Sequence, residues 1–400
     1  MTELTAPPLA AALYVHVPFC ISKCAYCDFA SAVSDLRWHT PYVDGVLYAA
    51  GHYSFYDVLD DVTSLYVGGG TPTILSDELV RLVTGLREIA TLRAGAEITV
   101  ETNPETTDLR LVEMLVEAGV NRFSLGVQSF DDSVLSTLGR RHDAARAEAA
   151  AAVLARSGQR FSVDLICGVP GQSVASWRQS VERAIATGAG HVSVYPLSIE
   201  EDTPLDRAVE AGSMPEPDPD VAAEMMQIAA NALAAAGLAR YEVANYARPG
   251  EESRHNTSYW TGSAYLGLGP SASSMMPAAA FAPIAGAERW APVPDTSARC
   301  RFTAIADTET WLRNPLAAPP EIEHLTAEEV AREDVMLGMR RSVGVPAEQV
   351  AAAGLDAVLE SLSASGLVER TRGAEGDRWH PTSRGWLLGN EVFGRIWSGE

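Results

Sequence analysis

Three cysteines stand close together in a chain that has only five. Cys20, Cys24 and Cys27 lie in the stretch LYVHVPFCISKCAYCDF, with the spacing C-x3-C-x2-C. Cysteine thiolates are the protein ligands of zinc and of iron–sulfur clusters. An odd, clustered set of cysteines is typical of metal or redox chemistry rather than of a disulfide framework. The stretch therefore predicts a metal centre.

Two kinds of metal centre fit this spacing. A structural zinc takes four protein ligands, and His16 or His39 could supply the fourth. A [4Fe-4S] cluster held by three cysteines leaves one iron without a protein ligand, which suits a catalytic site and not a closed structural one. Phe29, where a further cysteine could stand, fits the open cluster. The isolated Cys167 and Cys300 are expected to be buried apolar side chains.

Strand-like and helix-like segments alternate through the first half of the chain. The six strand patterns are LYVHV, SLYVGGG, AEITVET, NRFSLGVQSF, RFSVDLICGVPG and HVSVYPLSIE. Helical patterns separate them, among them 76–90, a long Ala-rich helix that ends near 157, and 174–187. Repeated strand–helix units predict a parallel sheet with right-handed crossovers. Six units are fewer than a full barrel has, so we expect an α/β fold with a partial (β/α)6 barrel.

Several polar residues follow these strands directly. Glu101, Gln128, Asp164 and the loop GGGTP at 68–72 lie at or just past the predicted strand ends. In barrels of this kind the functional residues lie at the carboxyl ends of the strands. Glycines in such a loop let backbone groups approach a ligand closely. We therefore expect these residues and the cysteine loop to meet at one mouth.

The second half of the chain is less regular. The Ala/Pro-rich segment 275–298 is expected to be irregular. A helix capped by Thr326 and Glu329 opens a compact tail. Further helices and a strand pair follow, so the tail is expected to be a mainly α, winged-helix-like domain. The predicted domains are 1–245 for the barrel, 246–320 for a connecting segment and 321–400 for the tail.

The composition restricts the partners. The chain carries 52 Asp and Glu against 30 Lys and Arg, a net charge of −22. Such a surface repels phosphate backbones, so we expect no nucleic-acid partner. No run approaches the ~20 apolar residues that a membrane helix needs. The N-terminus lacks the basic region of a signal peptide, so a cytoplasmic protein is expected.

The cysteine spacing after a first strand resembles the signature of radical SAM proteins. Eight further stretches resemble the branch that contains oxygen-independent coproporphyrinogen III oxidases and haem chaperones of the HemW type: YVGGGTPT, ETNPE, NRFSLGVQSFDDSVLSTLGRRH, VDLICGVPGQ, HVSVYPLSIEEDTPL, YEVANYA, RHNTSYW and YLGLGPSA. The tail resembles the C-terminal domain of that branch. The resemblance implies that Cys20, Cys24 and Cys27 hold a [4Fe-4S] cluster whose open iron binds S-adenosylmethionine.

The resemblance also implies which residues contact S-adenosylmethionine. They are Tyr14, Tyr26, Gly69, Gly70, Thr71, Glu101, Gln128, Arg140 and Asp164. Carboxylates suit ribose hydroxyls, and an arginine suits the carboxylate of the ligand. In this superfamily an electron from the reduced cluster cleaves the sulfonium bond.

Two functions within the branch compete. One is a haem chaperone that passes haem to acceptor proteins, membrane-associated ones among them, and needs a reductant for its cluster. The alternative is an enzyme of the coproporphyrinogen III oxidase type that oxidatively decarboxylates propionates. A third possibility, outside both, is a radical SAM enzyme with another substrate. Phe29 stands where the oxidases carry a further cysteine, and only nineteen residues precede Cys20. The resemblance therefore favours the chaperone.

The stretch RHNTSYW matches the HNxxYW motif of the chaperones, whose histidine is implicated in haem binding. The resemblance thus implies His255 as a haem ligand, a role that suits an imidazole. Two residues depart from the family pattern. Ser273 stands where the relatives have a histidine, and Arg254 precedes the motif where many have cysteine. Arg254 could instead pair with a haem propionate.

Overall fold

The first half of the protein alternates strands and helices, as the sequence predicts. The computed structural model describes residues 9–373 and 376–399. The strands of this half are β1 (Ala10–Val17), β2 (Phe19–Cys20), β3 (Ala32–Val33), β4 (Asp61–Gly69), β5 (Leu92–Thr102), β6 (Arg122–Gln128), β7 (Arg160–Cys167) and β8 (His191–Pro196). The helices are α1 (His39–Tyr53), α2 (Asp77–Ile89), α3 (Leu109–Glu117), α4 (Asp132–Thr137), α5 (Ala144–Arg156), α6 (Val174–Ala186), α7 (Pro204–Glu210) and α8 (Pro219–Ala235). Short 3-10 turns span Leu36–Trp38, Ser54–Tyr56 and Pro72–Leu75.

Six of these strands form a partial barrel. Strands β1, β4, β5, β6, β7 and β8 lie side by side in that order, and each runs parallel to its neighbours. Their outward side chains, Leu65 and Val163 among them, are fully buried in the main hydrophobic core. The predicted α/β fold with a (β/α)6 barrel is therefore confirmed. Because parallel strands end at one edge, the loops after them share one mouth.

The prediction of a single long helix after β6 is wrong, because the chain forms two helices there. Asp131 caps α4 by accepting a hydrogen bond from the N–H of Ser133 at 2.8 Å. Asp143 caps α5 by accepting one from the N–H of Arg146 at 2.7 Å. Gly139 adopts a φ of +69° in the interruption, a conformation that favours glycine. The interruption places the residues after Gly139 at the mouth of the barrel.

The segment after the barrel adds strands to both edges of the sheet. Its elements are β9 (Ala239–Arg240), β10 (Asn245–Ala247), α9 (Arg254–Trp260), β11 (Ala264–Leu268), β12 (Ser273–Pro277), α10 (Ala278–Ala287), β13 (Ser297–Thr303), α11 (Thr308–Arg313) and β14 (Ile322–Thr326). Strand β11 pairs with β1 in parallel, and β12, β13 and β14 continue antiparallel. At the other edge, β10 and β9 follow β8.

The expectation of an irregular segment at 275–298 is wrong, since α10 lies within it. Phe281 and Ile284 are fully buried on this helix. The ring of Phe281 lies 5.1 Å from that of Phe302 on β13. Burial of this apolar face stabilises a helix that contains Pro283, because packing outweighs local propensity.

The tail forms a small mixed unit with its own apolar cluster. Its elements are α12 (Ala327–Gly338), β15 (Val345–Pro346), α13 (Ala347–Ala352), α14 (Asp356–Ala364), β16 (Val368–Thr371), β17 (Arg378–Pro381), α15 (Ser383–Leu387) and α16 (Gly389–Ser398). The predicted capping box of Thr326 and Glu329 is present. Helices around a three-stranded antiparallel sheet match the predicted winged-helix-like arrangement. The domain limits at 245 and 320 stay predictions.

Among the described residues, no helix combines the length and the apolar character that crossing a membrane requires.

A buried carboxylate ties α9 to the interior of the barrel. Glu97 on β5 is fully buried. It accepts hydrogen bonds from the N–H groups of Arg254 at 3.2 Å and His255 at 3.0 Å. The guanidinium of Arg160 on β7 donates a third at 3.3 Å. These bonds compensate for the desolvation of the carboxylate and fix the start of α9.

We expect Glu97→Ala to lower the free energy of unfolding by about 3 kcal/mol, because it leaves the Arg160 guanidinium and two backbone N–H groups without their partner. Urea unfolding followed by circular dichroism measures the change. Glu88→Ala, at an exposed position on α2, is the matched control. Equal stability of the two variants would contradict the anchoring role of Glu97.

Candidate metal centre and adjoining cavity

The three clustered cysteines lie at the carboxyl end of the barrel, in and after β2. Strand β2 pairs in parallel with β3, and the N–H of Ser34 donates to the Cys20 carbonyl at 2.8 Å. These bonds close the cysteine loop on itself. All three thiol residues line a single cavity of about 400 Å³. That volume lies in the range of small-ligand sites.

The histidines considered as a fourth zinc ligand have other partners. His16 uses both ring nitrogens, Nε2 with the carbonyl of Ala30 at 2.9 Å and Nδ1 with the hydroxyl of Tyr14 at 2.9 Å. His39 Nε2 bonds the hydroxyl of Ser34 at 2.6 Å. The described part of the chain arranges no three His, Cys, Asp or Glu side chains around a single ion. Zinc ligation by His16 would require one of its two hydrogen bonds to break, which favours a cluster held by the three thiolates.

Arg140 lies against the cysteine loop. Its Nη1 is 3.3 Å from the sulfur of Cys24, and its Nη2 donates to Asn103 Oδ1 and to the carbonyl of Gly126, both at 2.9 Å. Only 6% of the side chain is exposed. A buried guanidinium stabilises the thiolate form of a cysteine, which is the form that binds metal. Arg140 therefore joins the cysteine loop to Asn103 and to β6 from inside the cavity.

The glycine loop after β4 lies against the cysteine loop. Gly69 has a φ of +108°. The N–H of Gly70 donates to the carbonyl of Val17 at 2.8 Å. A Cβ atom on Gly70 would lie 2.9 Å from the sulfur of Cys20 and 2.5 Å from the carbonyl oxygen of Phe19. No side chain fits there, so the two loops can meet only because glycine stands at this position.

Thr71 continues this contact between loops. Its N–H donates to the carbonyl of Phe19 at 2.7 Å, and its hydroxyl accepts from Asn103 Nδ2 at 2.8 Å. Asn103 also accepts from Arg140, so one amide side chain joins the glycine loop to the guanidinium. These bonds connect the loops that follow β1, β4, β5 and α4.

Two half-buried carboxylates line the inner part of the cavity. Glu101 accepts the hydroxyl of Tyr66 at 2.6 Å and the N–H of Gly69 at 3.0 Å. Burial raises the pKa of Glu101 to about 7, although the bond from Tyr66 acts in the opposite direction. Asp164 accepts hydrogen bonds from two serine hydroxyls, that of Ser193 at 2.7 Å and that of a serine on β6 at 3.1 Å. Burial raises the pKa of Asp164. Carboxylates so placed can accept further hydroxyl donors from a ligand.

Gln128 and the two predicted tyrosines differ in position. Gln128 lines the cavity with a φ of +66°, an uncommon backbone conformation for a residue other than glycine. Tyr26 also lines the cavity, and burial raises its pKa. Tyr14 lies on β1 inside the barrel, and its hydroxyl bonds His16. The structure thus gathers all predicted residues except Tyr14 and His255 around the cavity.

His255 lies in the core, away from the cavity. The residue is 2% exposed. Its Nδ1 bonds the hydroxyl of Ser64 at 2.9 Å, and its Nε2 bonds the hydroxyl of Tyr259 at 3.1 Å. Its ring stacks on that of Tyr66 at 4.8 Å, and burial lowers its pKa to about 3. In this conformation the imidazole is neutral and has no free nitrogen, so iron ligation would require α9 to move.

The two residues that depart from the family pattern also lie away from the cavity. Ser273 on β12 forms a hydrogen bond with the hydroxyl of Thr303 at 2.8 Å. The guanidinium of Arg254 donates to the carbonyl of Gly95 at 2.7 Å. A salt bridge between Arg254 and a haem propionate would replace this bond.

Sequence reasoning missed Asn103, Tyr66 and the pair of Glu105 and His142. Glu105 Oε1 lies 3.1 Å from His142 Nδ1, and Glu105 lines the cavity. Alternation along β5 offered a signal for Asn103, because residues two apart face the same side of a strand. His142 gave no such signal, since its position depends on the interruption between α4 and α5.

The raised pKa of Glu101 has a consequence for stability. Its folded-state value of about 7 exceeds the usual value of about 4.3, so the native state binds more protons between these pH values. The free energy of unfolding is therefore expected to fall as the pH rises from about 4.3 to about 7. Glu101→Gln removes this dependence, and its stability relative to the wild type should increase between pH 5 and pH 8.

Urea unfolding at the two pH values, without added ligand, measures this difference. Glu113→Gln, exposed on α3, serves as the control. An identical pH dependence in the wild type and Glu101→Gln would show that Glu101 does not titrate as stated.

Comparisons with known proteins identify the family to which the chain is similar. Residues 14–184 match the model of the Radical SAM superfamily. The chain is 36% identical over 389 residues to the "Heme chaperone HemW" of Mycobacterium tuberculosis, covering 95% of this chain and 93% of that protein. It is 30% identical over 391 residues to the protein of the same name from Bacillus subtilis, covering 95% and 97%.

A solved structure supports the fold independently. Coproporphyrinogen III oxidase (HemN) from Escherichia coli, a radical SAM enzyme, superposes with a TM-score of 0.78 over 98% of this chain and 91% of that one. The two sequences are 22% identical, so this likeness shows the fold alone. The identity to the chaperones over nearly the whole length is more specific. The chain therefore belongs to the HemW family of radical SAM proteins.

Proposed function

We propose that this protein is a haem chaperone that binds haem and delivers it to acceptor proteins, and that it carries a [4Fe-4S] cluster with S-adenosylmethionine. One observation carries the proposal: 36% identity to a "Heme chaperone HemW" extends over 95% of the chain. Family membership over the whole length includes the tail and the RHNTSYW stretch, and not only the barrel that all radical SAM proteins share.

The residues at the mouth suit the cluster. Cys20, Cys24 and Cys27 line one cavity, with the Arg140 guanidinium beside Cys24. A cluster held by these thiolates would keep one iron free to bind S-adenosylmethionine. The reduced cluster would supply that ligand with an electron. The chain's own groups bind and orient that ligand.

The inner wall of the same cavity suits a nucleoside. The carboxylates of Glu101 and Asp164 have oxygen lone pairs for ribose hydroxyls. The backbone of Gly69, Gly70 and Thr71 adjoins both the cysteine loop and Glu101, so it suits the amino acid part of the ligand. Tyr26 offers an aromatic face. Gln128 and Arg140 line the same cavity and are assigned as further contacts of this ligand, whereas Tyr14 on β1 lies outside the cavity.

The rim of the cavity favours the chaperone over the oxidase. Phe29 stands at the rim where the oxidases have a further cysteine, and 57% of it is exposed. Val33 and Leu36, farther along the same loop, are 66% and 78% exposed. Exposed apolar side chains in one loop suit an apolar ligand face or a partner surface. The oxidase-type enzyme remains the alternative, and the shared fold alone supports it.

Haem and its acceptors complete the proposal. The acceptors include membrane-associated proteins, and a reductant supplies the cluster. His255 is proposed as a haem ligand only in a state in which α9 has left the position seen here, because both ring nitrogens are bonded in the structure.

We expect the anaerobically reconstituted protein to bind haem saturably and to transfer it to a haem-free acceptor. Titration followed by the Soret band measures binding, and transfer is read from the spectrum of the acceptor. Coproporphyrinogen III with S-adenosylmethionine and a reductant is the parallel arm. Consumption of this substrate with release of carbon dioxide, together with no haem binding, would replace the chaperone by the oxidase.

We expect Cys20→Ala, Cys24→Ala and Cys27→Ala each to lose the visible absorption of the cluster, because each variant removes one of the three thiolates proposed to hold it. Iron and sulfide analysis after reconstitution measures the loss. Cys300→Ala is the matched control, since that thiol is buried on β13 outside the cavity. Full iron and sulfide content in all three variants would exclude the assigned ligands.

A further inference from the structure

We propose that Tyr66 and His255 act together as positioning residues that hold the Glu101 carboxylate in the cavity and so set the affinity for S-adenosylmethionine. The inference rests on the proposed function, because it takes Glu101 as a contact of that ligand. It adds Tyr66, which no sequence pattern indicated, and gives His255 a role in the conformation that the structure shows.

The first step is the contact between Tyr66 and Glu101. The hydroxyl of Tyr66 donates to Oε1 of Glu101 at 2.6 Å, while Oε2 accepts the N–H of Gly69 at 3.0 Å. Both oxygens are thus held, one by β4 and one by the glycine loop. A Cβ atom on Gly68 would lie 2.7 Å from the Tyr66 ring and 2.8 Å from the carboxyl carbon of Glu101. The backbone of β4 at Gly68 therefore packs directly against the side chains of Tyr66 and Glu101.

The second step is the support of Tyr66 by His255. The two rings stack with centroids 4.8 Å apart and planes inclined by 24°. Hydrogen bonds to Ser64 and Tyr259 at both ring nitrogens prevent the imidazole from rotating. Glu97 holds the backbone N–H of His255 and so fixes α9 in the barrel. His255, which these hydrogen bonds hold in place, therefore supports the position of the Tyr66 ring.

The third step concerns what this arrangement does to the acid. The bond from Tyr66 favours the ionised form of Glu101, against a burial that raises its pKa to about 7. When the Tyr66 hydroxyl is lost, the effect of burial on the pKa of Glu101 is less opposed. The pKa therefore rises further, and the carboxylate takes up a proton at a higher pH. A protonated Glu101 has lost acceptor capacity for a ligand hydroxyl. A change at Tyr66 should therefore alter ligand affinity and its pH dependence together.

Other groups face Glu101 and must be considered in this pH dependence. They are Tyr14 on β1, Arg122 on β6, Asp164 on β7 and Tyr195 on β8. Arg122 favours the ionised carboxylate, whereas Asp164 disfavours it. None of these groups is changed in the test, so a shift between the wild type and a Tyr66 variant reports on the Tyr66 bond.

The test compares Tyr66→Phe with the wild type in the full chain with its cluster reconstituted. Equilibrium dialysis from pH 5.5 to pH 8.5 gives the dissociation constant for S-adenosylmethionine. We expect about tenfold weaker binding at pH 7.5, as for loss of one hydrogen bond to a charged group. We also expect the pH below which affinity falls to move upward. Tyr42→Phe is the matched control, because its buried hydroxyl donates to the carbonyl of His16 at 2.7 Å without touching Glu101.

His255→Ala and His255→Gln test the second member of the pair. The alanine variant should weaken ligand binding and move the pH midpoint in the same direction as Tyr66→Phe. The glutamine variant retains an amide that can bond Ser64 or Tyr259, so it should restore part of the affinity. Circular dichroism and iron content establish that each variant is folded and carries its cluster.

Two outcomes would overturn the inference. Wild-type affinity and an unchanged pH midpoint in Tyr66→Phe would show that the bond to Glu101 does not matter. Loss of haem binding in His255→Ala with unchanged affinity for S-adenosylmethionine would assign this histidine to haem alone. A wild-type protein that holds its cluster but binds no S-adenosylmethionine would instead refute the proposed ligand site itself, and this arm separates the two failures.

Discussion

Carboxylates buried inside a barrel must find hydrogen-bond partners, and this requirement organises the interior of the protein. Three acids extend from β5 and β7 into it. Glu97 bonds the start of α9, Glu101 bonds β4, and Asp164 bonds the strands on either side of its own. An unpaired buried acid would destabilise the fold severely. The bonds that prevent this also fix the direction in which each carboxylate points.

A second constraint applies at the mouth of the barrel, where two loops must approach each other closely. The glycine loop and the cysteine loop touch at distances that exclude a side chain on Gly70. Asn103 then joins Thr71 to Arg140, whose guanidinium lies beside Cys24. A single buried cation at this point matters in a chain of net charge −22, because a cluster with thiolate ligands adds further negative charge. Hydrogen bonds thus connect the cysteine loop to the glycine loop, and Gly69 connects the glycine loop to Glu101.

Much of this arrangement could be predicted from local patterns. The cysteine spacing, the strands and the polar residues at their ends follow from sequence, because parallel strands bring their carboxyl ends to one edge. The start of α5 had a local signal in Asp143, which caps that helix, whereas α10 depends on the burial of Phe281, which no local pattern reveals. The burial of His255 depends on Ser64, 191 residues away in the chain, and no local signal reveals such a contact.

The division between cavity floor and rim explains how one fold can serve an enzyme and a chaperone. Glu101, Asp164 and the glycine loop suit a nucleoside ligand, whatever second molecule approaches the mouth. The likeness in fold to a coproporphyrinogen III oxidase extends over 98% of the chain, yet fold does not determine function. What the second molecule meets is the cysteine loop, where Phe29 offers an exposed apolar ring in place of a thiol. A difference in function is therefore to be sought at the rim, because the carboxylates in the inner part of the cavity suit a nucleoside with either function.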